Sequence, residues 1–268
     1  MPGGFVGILC RETENTMAKT KRTFVNFSEL EGFRYLHFGS EWIQGGMQIA
    51  RPWKLALEYQ QWMMTLMLFQ PNPQEILQLG LGAGGFAKFC WKYFPDANTK
   101  VVEISEDVYM AARMWFRMPA DDDHLEVVFE DCKKFLGNRK AYEAPDWLLV
   151  DIYDAECWGP VYDDVPFYKL CRRSMNKPGY ATFNVFGGED FRRSLDHISE
   201  AFDGRVLFTP EVQEGNRIII AATGPKQVWD AAELQKRGEA FRKAYKLPAD
   251  KWVKALQKEN GLGDTFEF

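Results

Sequence analysis

Residues 147–160, WLLVDIYDAECWGP, run from an apolar stretch directly into Asp151, with Asp154 three positions later and a Trp-Gly-Pro turn beyond. Two carboxylates at the end of a buried strand either close the strand off or hold a positively charged group. A second chemistry-bearing stretch lies upstream, where Gly80-Leu81-Gly82-Ala83-Gly84-Gly85 follows ILQL and opens into a helical pattern. Glycines such as Gly80, Gly82 and Gly84 permit a tight turn and let backbone N–H groups approach a ligand closely. Alone, this spacing is the weak GxGxxG fingerprint of a dinucleotide site. Glu103 ends the next apolar run, where its carboxylate can accept hydrogen bonds from both hydroxyls of a ribose. Asp131 follows the run after that, placed either to accept the amino group of an adenine or to cap a helix.

For these groups to converge, the runs that precede them must be strands ending at one edge. Strands are expected at 76–79, 100–104, 125–129, 147–150, 180–185, 205–208 and 217–222. Between the first six lie helical patterns at 86–93, 106–117, 132–137, 166–175 and 190–202. Such alternation predicts a parallel sheet covered by helices on both faces. The last two strands, joined by a short Pro- and Gly-containing loop, are expected to form a hairpin. Ligands of such sheets sit at the carboxyl edge, where the glycine loop, Glu103, Asp131 and Asp151 all fall. The fold class expected is therefore α/β, a seven-stranded Rossmann-like sheet of the S-adenosylmethionine-dependent methyltransferase type. Four features in a row favour an S-adenosyl ligand over NAD.

Around this core, residues 1–22 carry no expected structure, and Met17 opens an alternative, shorter reading frame. Residues 23–50 alternate aromatic and polar side chains between Gly-Ser and Gly-Gly turns, which predicts a small β-hairpin or meander. A helix is expected over 52–69, the nucleoside-binding catalytic domain over 51–225, and a helical tail over 226–268 with two helices packed on the outside. The 268 residues are 46% hydrophobic and 26% charged, within the range of ordinary globular domains. A net charge of −5 argues against a nucleic-acid partner. No apolar run approaches a membrane span, and five scattered cysteines without CxxC argue against disulfides or zinc. The expected location is cytoplasmic. The three histidines lie far apart, and AlaAspAspAsp at 120–123 reads as a solvated turn, so no metal site is expected.

With these motifs in place, the chain resembles the spermidine synthase (polyamine aminopropyltransferase) family over about residues 23–222, and its spacing looks most like the divergent bacterial branch. The counterparts are the loop Gly80–Gly85, the acidic ribose binder Glu103, Asp131-Cys132 at the adenine, and Asp151-Ile152-Tyr153-Asp154 with Gly159-Pro160. WIQ at 42–44 resembles the family's hairpin ending in glutamine, here Gln44, and LEYQQWMM at 57–64 its tyrosine-bearing helix, here Tyr59. The resemblance implies that decarboxylated S-adenosylmethionine, as co-substrate, donates an aminopropyl group to a small amine such as putrescine. It implies that Asp151 is catalytic, that Asp154 and Tyr59 bind the amine, and that Gln44, Gly80, Gly82, Gly84, Glu103, Asp131 and Cys132 bind the donor. Residues 155–166 are expected to form a lid over the cation. No prosthetic group is implied, and the family analogy makes a homodimer plausible.

The chain also departs from the family. Ala83 stands where the family's glycine loop has an aspartate gripping the donor's aminopropyl ammonium. The stretch between Gln44 and Tyr59 offers Glu58 as its only carboxylate. Two further readings therefore stay open. One is a methyltransferase using intact S-adenosylmethionine, which Ala83 and Asn184 favour. The other is a catalytically silent nucleoside-binding protein.

Overall fold

A computed structural model describes residues 23–153 and 159–268. The expected Asp154, Cys157 and Trp158, and most of the first half of the expected lid, lie outside the described residues. The chain opens with a three-stranded antiparallel sheet, β1 (Asn26–Leu30), β2 (Phe33–His37) and β3 (Gly45–Gln48). The central sheet follows: β4 (Glu75–Leu79), β5 (Asn98–Glu103), β6 (Leu125–Phe129), β7 (Trp147–Val150), β8 (Gly179–Phe186), β9 (Val206–Phe208) and β10 (Asn216–Thr223). Its order is β6-β5-β4-β7-β8-β10-β9. The first five strands of that order are parallel, and β10 inserts antiparallel between β8 and β9. The hairpin and all seven strands fall where the sequence puts them, within two residues at each end.

Side-chain alternation explains why this sheet needs helices on both faces. Trp147, Leu149, Ile218 and Ile220 face one apolar cluster, whereas Leu148, Val150, Ile219 and Ala221 face another. The helices are α1 (Glu58–Met63), α2 (Gly85–Tyr93), α3 (Glu106–Trp115), α4 (Cys132–Gly137), α5 (Val165–Ser174), α6 (Phe191–Ala201), α7 (Ala231–Tyr245) and α8 (Trp252–Asn260). Residues of α1, α2, α7 and α8 fill the first cluster and residues of α4, α5 and α6 the second. A third cluster joins the N-terminal sheet to the glycine loop, α2 and α3, with Leu36 and Met47 in one cluster with residues such as Ala83, Ala87 and Phe116.

Two expectations need correction. The helix over 52–69 is shorter: Leu55 bridges to Met47 of β3, α1 starts at Glu58, and Met64–Leu68 tightens into a 3₁₀ turn. All five residues of that turn are buried, and Thr65 Oγ donates to the Trp62 carbonyl at 2.8 Å. The tail carries its two expected helices, α7 and α8, but is not helical throughout. Two short strands, β11 (Val228–Asp230) and β12 (Thr265–Glu267), pair antiparallel around α7 and α8. Phe266 and Phe268 are buried, and the Phe268 ring meets Phe69 edge-on at 4.8 Å. Hydrophobic burial thus makes the tail part of the main core.

Lys88 on α2 is an internal clamp behind the glycine loop. Its side chain is buried, and Nζ donates to the carbonyls of Ala83 at 3.0 Å and Phe116 at 2.7 Å. Burial pushes its amine down to about 7, yet a neutral amine still has two N–H groups for two carbonyls. Lys88→Met should cost about 1–3 kcal/mol by orphaning those acceptors. The unfolded chain holds the Lys88 proton more tightly than the folded one. The wild type should therefore gain stability over the variant as pH rises from about 7 toward the ordinary lysine value. Denaturant titrations of both proteins at pH 7 and pH 9 measure that difference.

Candidate active site

The parallel strands β4, β5 and β7 deliver their carboxyl ends to one place. The Gly80 N–H donates to the Val102 carbonyl at 2.9 Å, and the Asp151 N–H to the Leu79 carbonyl at 3.0 Å, so both ladders run on beyond the named strands. Gly80 has φ +88°, and a Cβ there would lie 2.1 Å from the Asp151 carbonyl oxygen. Only glycine permits that approach. The loop then turns over a cavity of about 1100 Å³.

Asp151 lines this cavity. Its Oδ2 accepts from the Tyr59 hydroxyl at 3.1 Å and its Oδ1 from the Asn184 amide nitrogen at 2.8 Å. Burial raises its carboxyl above the usual carboxylate range, and those two hydrogen bonds oppose the rise. Tyr59 is shifted well upward by burial and by the Asp151 charge, so it remains a donor. Because the nitrogen of Asn184 must face the carboxylate, its Oδ1 points elsewhere. That oxygen is buried and has no partner.

At the end of β5, Glu103 accepts the Leu81 N–H on Oε2 at 2.9 Å and the Ser105 N–H on Oε1 at 2.8 Å. Each oxygen keeps a second lone pair for a ligand hydroxyl. Burial raises the Glu103 carboxyl, and the backbone N–H groups hold it back. Asp131 does cap α4, Oδ1 accepting the Lys134 N–H at 2.9 Å, while Oδ2 accepts the Tyr162 hydroxyl at 2.6 Å. The helix-capping role and the cavity-facing role fall on one side chain, since Asp131 also lines the cavity. Cys132 lines it too, but burial pushes its thiol up to about 12, so it is no thiolate nucleophile.

Of the residues singled out in the sequence, Gln44, Tyr59, Gly80, Gly82, Glu103, Asp131, Cys132 and Asp151 line this one cavity. Gly84 does not. It is the left-handed residue before α2, and a Cβ there would meet Met118 Sδ at 2.9 Å, on the side of α3. Ala83 also stands off the cavity, buried against Gly45 of β3. Lining residues that the motifs did not single out as site residues include Tyr162, Asn184 and Glu214. Asn184 is legible only as the polar residue near the end of an apolar strand, and Glu214 lies in a loop without spacing signature.

The electrostatic character is one-sided. Among the described residues the cavity is lined by Glu41, Glu103, Glu130, Asp131, Asp151, Asp163 and Glu214, against the single cation Arg193. Arg193 is neutralised by Asp163 at 3.2 Å and Asp190 at 2.9 Å. Such a cavity favours cationic ligands. Among the described residues, no group of three or more His, Cys, Asp or Glu is arranged to hold a metal ion, and no helix is long and apolar enough to cross a membrane.

The sheet order defines an α/β protein of the methyltransferase-like fold. Human methyltransferase-like protein 13, solved with SAH, superposes with a TM-score of 0.61 at 20% identity, covering 71% of this chain and 93% of that one. Spermidine synthase from Thermotoga maritima gives 0.66 at 17% identity, covering 92% and 87%. A family model for the spermine/spermidine synthase domain matches residues 57–184. The polyamine aminopropyltransferase of Chromobacterium violaceum is 30% identical over 237 residues, covering 88% of this chain and 90% of that protein. Its counterpart from Neisseria meningitidis serogroup A is 30% identical over 245 residues, covering 91% and 92%. The chain belongs to the spermidine synthase, or polyamine aminopropyltransferase, family.

Proposed function

We propose that this protein transfers an aminopropyl group from decarboxylated S-adenosylmethionine to a small amine such as putrescine. The carrying observation is the cavity wall of six further carboxylates around a hydrogen-bonded Asp151, with its one cation already neutralised. The donor brings a sulfonium and an ammonium, and the acceptor arrives as an ammonium, so both substrates are cations in an anionic site. Glu103 and Asp131 are assigned to the ribose and adenine, and Gln44, Gly80, Gly82 and Cys132 to the walls of the donor site.

An alkyl ammonium has a pKa near ~10, as in lysine, and is no nucleophile until it loses a proton. Asp151 takes that proton, helped by the burial that raises its basicity. The freed lone pair forms a bond to the propyl carbon beside the sulfonium. The carbon–sulfur bond breaks with its electrons returning to sulfur, and neutral methylthioadenosine leaves. Tyr59 and Asn184 hold Asp151 in position through that step. Losing the sulfonium charge weakens the product's hold on an anionic cavity. Asp154 serves as a second amine contact in this reading, and a cytoplasmic homodimer goes with it on the family analogy.

Product analysis tests the assignment. Purified protein given both donors and an amine should release methylthioadenosine, whereas S-adenosylhomocysteine would mark methyl transfer and absence of both a silent binder. Independently, Glu103→Ala should weaken methylthioadenosine binding by about 1.5–3 kcal/mol, the range for charged hydrogen bonds. Calorimetry giving an unchanged affinity with an intact fold would remove Glu103 from the ribose site.

A further inference from the structure

Glu214, in the loop between β9 and β10, lines the same cavity as Asp151. Its Oε1 accepts the Glu58 N–H at 2.8 Å, and Glu58 Oε2 in return accepts the Gln213 N–H at 3.2 Å. This exchange clamps the loop to the first turn of α1 and holds two carboxylates together. Neither forms an ion pair among the described residues. The next residue, Tyr59, reaches from that turn to Asp151 with its hydroxyl. The uncompensated charge at Glu214 and the base at Asp151 are therefore bridged by one residue and its ring.

We propose that Glu214 binds the second ammonium of a diamine whose reacting nitrogen lies at Asp151, so that Glu214 selects diamines over monoamines. This rests on the reading of the cavity as an aminopropyl-transfer site. The far nitrogen stays protonated because nothing at that end removes its proton, and Glu214 is fixed by the α1 N-terminus rather than free to wander. The donor's nucleoside end, at Glu103 and Asp131, lies on other strands.

Glu214→Gln keeps an oxygen for the Glu58 N–H and loses only the charge. Steady-state rates should show the KM for 1,4-diaminobutane raised about 2- to 5-fold, the upper part of the span expected for an exposed ion pair. The kcat, the KM for n-butylamine and the donor KM should be unchanged, and Glu214→Asp should recover part of the loss. An equal rise for both amines, a rise confined to the donor, or no rise at all would overturn the proposal. Calorimetry of 1,4-diaminobutane with the methylthioadenosine-bound protein gives a readout free of turnover. Weaker diamine binding by the variant of a protein that transfers nothing would preserve the Glu214 site and sink the transfer reading. No diamine binding by an inactive wild type would sink both.

Discussion

Asp151→Asn should lower turnover by about 10²- to 10⁴-fold, the usual contribution of a general base, without destabilising the fold. The amide preserves shape and can still meet Tyr59 and Asn184, but it has neither the charge to hold an ammonium nor the basicity to deprotonate it. Donor affinity should change little, because Glu103 and Asp131 lie on β5 and after β6 rather than on β7. The stability expectation follows from the direction of the Asp151 shift, which burial drives upward. A carboxyl with a raised folded pKa binds its proton more tightly in the folded chain. Folded stability from this group is then complete below the unfolded pKa and is lost as pH rises through the folded one. The neutral amide escapes that loss, so the variant at pH 7 should melt at or above the wild-type temperature. In the wild type, the acid limb of kcat/KM should lie above the ordinary carboxylate range. Near-normal methylthioadenosine release by Asp151→Asn would make the carboxylate structural.

The parallel part of this architecture was legible because each strand announces its own end. Apolar runs as short as WLLV stop at a carboxylate or a glycine, and parallel strands that alternate with helices must present those stops at one edge. Gly80, Glu103, Asp131 and Asp151 could therefore be grouped from sequence order alone. The antiparallel side carries no such rule. Glu214 reaches the cavity because β10 returns between β8 and β9, and nothing in EVQEGN marks which way that loop folds. Asn184 gains its place from register, one step beyond the Val150–Phe183 pair. The tail's two short strands escape the sequence for a related reason. Strands of three residues, 228–230 and 265–267, carry too little alternation to be seen, and their pairing depends on two intervening helices.

Ala83→Asp shows how the structure changes an expectation drawn from family resemblance. In the sequence, Ala83 occupies the position of an aspartate that grips the donor's ammonium, so restoring a carboxylate looks like a route to higher affinity for the decarboxylated donor. The structure gives the opposite expectation. Ala83 is 2% exposed, and a Cβ built on Gly45 would lie 2.9 Å from both its Cβ and its nitrogen. It packs with Leu36, Met47 and Ala87, and the cavity wall does not include it. The Lys88 amine lies behind the loop, already donating to the Ala83 and Phe116 carbonyls. An aspartate at 83 would thus place a charge in an apolar seam with no partner of its own. That should cost about 3–5 kcal/mol, a fall of roughly 10 °C in melting temperature, with no gain in donor preference. Ala83→Asn separates size from charge, since it should lose part of this stability but less than the aspartate. A variant Ala83→Asp that keeps its melting temperature and lowers the KM for the decarboxylated donor would mean that the loop between Gly82 and Gly84 turns its side chain into the cavity. The donor's ammonium would then belong at position 83 in this chain as in the family.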